Sequence, residues 1–196
     1  MSAIRLRGAT SGTTDVVAAA IAGDGVLTLP TGTGTLATAA YVDAAVAAGG
    51  KVLQVVSVTK VNAFTTTSTS FVDVTGLTVT ITPSATSSKI LIMSTFQASN
   101  SDAAFDYFNL VRNSTAIAQG TGASNNMTAA AYAGHTSNSN GIYQVAITNL
   151  DSPATTSATT YKIQMAVNTG TGAVGRRGED TLVAVSSNIL VMEISA

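Results

Sequence analysis

From Lys51 onward the chain alternates apolar residues with Ser, Thr, Asn and Gly at a period of two, the pattern of strands with one buried face. The spacing predicts strands at Val52–Val61, Phe71–Thr75, Leu77–Thr82, Lys89–Ala98, Phe105–Arg112, Thr128–Ala133, Ile142–Leu150, Tyr161–Val167, Thr181–Val185 and Ile189–Ile194. Turn formers separate them. So many short strands at close intervals predict a β-sandwich of the jelly-roll type over residues 51–196. Three polar, glycine-bearing stretches read as exposed loops: Ser99–Ala104, Gly120–Asn126 and Gly134–Gly141.

The first 50 residues follow another pattern. Ile4–Arg7 alternates, Gly8–Gly12 is turn-rich, and Asp24-Gly25 predicts a tight turn between Val16–Ala22 and Val26–Leu29. Pro30 and the Thr/Gly run Thr31–Thr35 end that piece, which has too few large apolar residues for a core of its own. Leu36–Ala48 is alanine-rich and predicts one short helix, stopped by Gly49-Gly50. Ala39, Val42 and Val46 fall at a 3,4 spacing that continues to Leu53, an a/d-like seam of small residues. Too short to hold a coiled coil alone, it suits three copies flanked by β structure. The expected fold class is therefore mainly β: a β/turn segment over 1–35, a helical trimerisation segment over 36–50, and the sandwich.

Composition narrows the function. Only 10% of residues are charged and 5% aromatic, with no Cys, no Trp and a single His. Acid–base and metal chemistry is poorly supplied, and neither a disulfide nor a thiolate site can form. Nine Lys and Arg against ten Asp and Glu give a net charge of −1, with no basic run longer than Arg176-Arg177. Nucleic-acid binding is disfavoured on that ground. Arg5 and Arg7 precede no apolar stretch of signal-peptide type, and the Leu36–Ala48 segment is too short to span a bilayer, so neither a secretory signal nor membrane insertion is expected. A surface so poor in charge fits burial between subunits.

Individual motifs give little chemistry. Gly170-Thr171-Gly172-Ala173-Val174-Gly175 matches the dinucleotide fingerprint, but Arg176–Asp180 after it is turn-like where a helix is required. The expectation is a glycine hairpin loop. Asp102 and Asp106, or Glu179 and Asp180, are the only carboxylate pairs suggestive of glycan hydrolysis, and each reads more simply as solvated turn residues. His135 has no motif around it and is expected to be exposed; a three-His metal site on a threefold axis is the sharper alternative. No catalytic, cofactor-binding or metal residues are assigned, and no cofactor is expected.

Two phrases carry a family resemblance. Ala3–Gly12, followed by Val26–Pro30 and Leu36–Val46, resembles short modules in tail fibres and other virion appendages of tailed bacteriophages. Phe64–Pro83, Leu150–Ser157 and Ile189–Ile194 resemble C-terminal β domains of phage structural and tail-fibre proteins. The resemblance implies a homotrimer located in the virion and assembled in the bacterial cytoplasm. Its N-terminal 35 residues would attach to other virion proteins, and its distal β domain would contact the host surface. A capsid decoration or head-fibre protein is the alternative, and a virion glycan hydrolase the remote one. On this reading Ala39, Val42, Val46 and Leu53 form the trimer interface, and His135, Asn138 and Asn140 contact a surface glycan receptor.

Overall fold

A computed structural model describes residues 3–7, 13–17, 51–121, 127–135 and 141–195. The chain divides into two compact units, Met1–Val46 and Ala47–Ala196. In the first, β1 (Ala3–Arg7) pairs antiparallel with β2 (Thr13–Val17), Ala3 opposite Val17. The Gly8–Gly12 segment thus separates two paired strands. The predicted turn at Asp24-Gly25, the Leu36–Ala48 helix, and Ala39, Val42 and Val46 lie outside the described residues.

The second unit is antiparallel β throughout its described residues. Its strands are β3 (Val52–Lys60), β4 (Phe64–Thr66), β5 (Val72–Ile81), β6 (Lys89–Asn100), β7 (Phe105–Arg112), β8 (Thr115–Ile117), β9 (Ala131–Gly134), β10 (Tyr143–Asp151), β11 (Thr159–Val167), β12 (Gly172–Val174) and β13 (Ser187–Ile194). One sheet runs β3-β13-β6-β12-β4, with β10 also on β6; the other runs β5-β11-β7-β8, with β9 also on β7. Alternation does the sorting. Ile90, Ile92 and Phe96 of one sheet and Leu110, Ile163 and Met165 of the other are all sealed in a shared core, where the Phe96 and Phe108 rings meet edge-on at 4.8 Å.

Several expectations need correction. Phe71–Thr75 and Leu77–Thr82 are one strand, β5, bent where its pairing with β11 shifts register. Thr181–Val185 forms no strand; a single bridge joins Arg176 and Ala184. Thr128–Ala133 shortens and shifts to β9. The exposed loop expected at Ser99–Ala104 shrinks to residues 101–103, where Asp102 and Ala103 are exposed: Ser99 and Asn100 are the buried end of β6, and Ala104 is buried too.

Two polar clusters, one partly buried and one centred on a fully buried carboxylate, tie the elements together. Asp151, the last residue of β10, accepts two contacts from Arg112 Nη1 (2.9 and 3.0 Å) and a third from the Tyr161 hydroxyl (2.7 Å), linking the two sheets. Burial, then the Asp151 hydrogen bond, push the Tyr161 phenol far above its usual range. Glu193 of β13 is fully buried and accepts from Gln54 Nε2 (2.6 Å), the Ser84 backbone N–H (2.7 Å) and the Ser84 hydroxyl (2.6 Å). Burial alone would raise its carboxyl. The hydrogen bonds from Ser84, Gln54 and Ser88 outweigh that and hold it down to about 2.

A folded-state value below the ordinary 4.5 stabilises the fold fully above about pH 4.5, and that stability is lost as pH falls toward 2. Urea midpoints measured between pH 6 and 2 should therefore fall more steeply for wild type than for Glu193→Gln. Parallel profiles would exclude Glu193 as an acid-sensitive latch on the β5–β6 connection.

Candidate functional site

The chain has only ten aromatic residues, five Phe and five Tyr, and their placement is uneven. Phe96, Phe108 and Tyr161 fill the core, whereas Phe105, Tyr132 and Tyr143 are exposed by 47%, 66% and 38%. These three gather at the same edge of the β domain. On the β7–β9 ladder Tyr107 lies opposite Tyr132 and Phe105 opposite Gly134, which puts Phe105, Tyr107 and Tyr132 on one outward face. The Phe105 and Tyr132 rings are 6.3 Å apart and flank Gly134, each 3.4 Å from where a side chain there would begin.

Two open cavities adjoin the rings. One, of about 290 Å³, is lined by Tyr107, Gly120, Met127, Thr128 and Tyr132 among others. The other, of about 430 Å³, lies between β9 and β10, where Tyr132, Gly134, Tyr143 and Gln144 contribute to its wall. Flat apolar faces beside hydroxyl and carboxamide groups suit a sugar ring, which has both C–H-rich faces and hydroxyl edges.

A buried network holds this edge in place. Asp106, whose neighbours Phe105 and Tyr107 point outward, points inward and is fully enclosed, as is His135. His135 Nε2 and Asp106 Oδ2 are 2.8 Å apart, and Asn100 Nδ2 donates to Asp106 Oδ1 at 2.7 Å. A carboxylate oxygen can only accept, so His135 donates through Nε2; its Nδ1 is buried without a partner among the described residues. The His135 backbone N–H bonds Ala104 O (2.8 Å), and the ring packs edge-on against Tyr143 at 5.0 Å. Asn168 secures the neighbouring corner, accepting from the Phe105 N–H (2.6 Å) and donating its own N–H to Phe105 O (3.0 Å).

The glycine motif serves this network. Gly172–Val174 is β12, paired with β4 and β6, rather than a hairpin loop. A side chain at Gly172 would collide with Met165 and Val167 and come within 3.0 Å of Asp106 Oδ1. The glycine is there for close approach, not for a phosphate.

The sequence-predicted site residues are distributed as follows. His135 is buried, so it cannot contact a receptor as expected; Asn138 and Asn140 lie outside the described residues. Leu53 is on the surface of β3, 44% exposed. Of the acids, Asp106 is enclosed rather than solvated, Asp102 and Glu179 are exposed, and Asp180 is bound by Arg177. The Arg177 hydrogen bonds keep the Asp180 carboxyl below its usual range. Arg176 Nη1 donates to the carbonyls of Arg177 and Asp180, so the longest basic run is occupied in folding its own turn. Among the described residues no group of three His, Asp or Glu side chains is arranged to hold a metal, and no helix is long and apolar enough to cross a membrane. Sequence reasoning places Phe105 and Tyr132 in segments suited to a ligand, Asp102–Tyr107 and Tyr132–Asn140, but misses Tyr143. The available signal for Tyr143 was an aromatic opening a strand two positions after Gly141.

A scan against protein-family models and a search of the curated proteins both find no match for the chain.

Proposed function

We propose that this chain is a non-enzymatic bacteriophage virion protein, a short trimeric tail fibre or spike. Its N-terminal segment attaches to the particle, and its β domain meets the host surface. The observation that carries the reading is the exposed aromatic edge formed by Phe105, Tyr132 and Tyr143. A host-surface glycan is the partner that such an edge suits.

The β domain of this proposal is a jelly roll. Numbering its eight principal strands along the chain (β3, β5, β6, β7, β9, β10, β11, β13) makes the sheets 1-8-3-6 and 2-7-4-5, which is how a jelly roll winds, and this supports the reading. The helix at Leu36–Ala48, with Ala39, Val42 and Val46 on a threefold seam, belongs to the same proposal.

A second reading, a capsid decoration or head-fibre protein, is favoured by one feature. The outer face of the β3–β13–β6–β10 sheet carries an apolar row, Val55, Met192, Leu91 and Leu150, in register across all four strands. Val55 and Leu150 are more than half exposed, and Leu53 and Met93 extend the patch. A face of this kind suits cover by a neighbouring subunit, in a trimer or on a shell.

Deleting residues 1–34 tests the division of labour, because the β domain forms a compact unit from Ala47 onward. The truncated chain should fold, with a strand-type circular dichroism spectrum and cooperative melting, yet be missing from purified particles. Incorporation at normal occupancy would place attachment in the β domain instead.

A further inference from the structure

At the opposite edge of the β domain, the inward row of β3 reads Gln54, Val56, Val58, Lys60, and its last member is a cation. Lys60 is only 7% exposed as a residue; no hydrogen bond or ion pair of its Nζ is found among the described residues, and the amine tip is not sealed from solvent. Its stem lies across Gly76, where β5 bends with φ +88°; a side chain there would start 3.5 Å from Lys60 Cγ and Cδ and 3.6 Å from Nζ. Glycine meets both demands, the left-handed backbone and the room for the lysine.

The amine borders a cavity of about 450 Å³ whose wall also includes Val58, Asn62, Ala63 and Thr75. Among the described residues Lys60 is the only titratable one lining it, and the one charged residue of β5, Asp73, is taken by Lys162 at 2.7 Å. Burial lowers the Lys60 amine below its usual range, as expected of a cation without a counter-charge.

We propose that this cavity is a binding site for a carboxylate group, with Lys60 as its counter-ion. The charge count selects the ligand class. One ammonium neutralises one negative charge, and the Thr75 hydroxyl and Asn62 carboxamide offer neutral hydrogen bonds; a phosphate dianion would keep an unmatched charge in a half-enclosed site. The carboxylate could come from an acidic sugar or an acidic peptide side chain. An inward lysine on an edge strand can also act alone, discouraging strand addition, and that role needs no ligand.

Carbon-13 NMR of the Lys60 ε-methylene in the full-length protein separates the two. Acetate, titrated against chloride at constant ionic strength, should move the resonance saturably and raise the amine's titration midpoint. Lys60→Met should abolish the response, while its melting temperature stays equal or rises. Galacturonate and N-acetylglutamate amide form the two source arms, and the arm that binds at least about tenfold more tightly than acetate names the source. No saturable shift in wild type at about 100 mM acetate, where even a millimolar site is filled, would overturn the proposal; so would an equal response to chloride. Because the titration is done on wild type, the outcome does not depend on the variant folding.

Discussion

Asp106→Ala is expected to destabilise the β domain by about 3–5 kcal/mol, the cost of removing one member of a buried, hydrogen-bonded pair. The side chain is fully enclosed, and two donors, His135 Nε2 and Asn100 Nδ2, depend on it. Without the carboxylate the His135 Nε2 donor stays buried and unpaired, and Asn100 Nδ2 keeps only its longer bond to the Thr169 carbonyl, 3.2 Å. Asp106→Asn keeps one acceptor and adds a donor, so its cost should be smaller, about 1–3 kcal/mol. Urea denaturation at pH 7 measures both. A loss under about 1 kcal/mol for the alanine variant would mean that the cluster is not what orders this edge.

The same cluster explains what could and could not be read from the chain. Strands such as Phe105–Arg112 were legible because their alternation is local, and each strand's buried face is written in its own residues. Asn100, Asp106 and His135 were not. Asn100 and His135 sit in polar stretches that read as solvated, Asp106 is a lone acid at a strand start, and the burial of all three depends on partners 6 and 29 positions away. β12 escaped for a related reason. Its Gly172 looks like a turn signal, yet the glycine is needed because Asp106, Met165 and Val167 crowd the position. Conversely, Thr181–Val185 has strand-like residues but only one bridge, at Ala184, so propensity without a paired neighbour made no strand. Lys60 was invisible for the opposite reason: a lysine ending a strand reads as a surface residue, and the bend at Gly76 against its stem is not written in the pattern.

The aromatic edge carries the functional account, and its loss should have the largest effect on function. Phe105, Tyr132 and Tyr143 lie outside the sealed core, so replacing all three by Ala should cost stability only modestly, through the packing of the rings around Gly134 and His135. Stacking platforms of this kind act as anchors worth about 2 kcal/mol or more each when well packed against a ligand. Losing three should weaken glycan contact by at least about 100-fold, equivalent to about 2.7 kcal/mol. The effect should concentrate on binding, with cooperative unfolding retained.

Adsorption therefore tests the central claim most directly. Particles carrying Phe105→Ala, Tyr132→Ala and Tyr143→Ala together should assemble with normal occupancy of this chain and bind host cells far more slowly than wild type. Purified wild-type protein should compete for the same cells, and the triple variant should not. Wild-type adsorption by particles shown to carry the variant at full occupancy would contradict the host-contact reading and leave the β domain as a decoration of the particle.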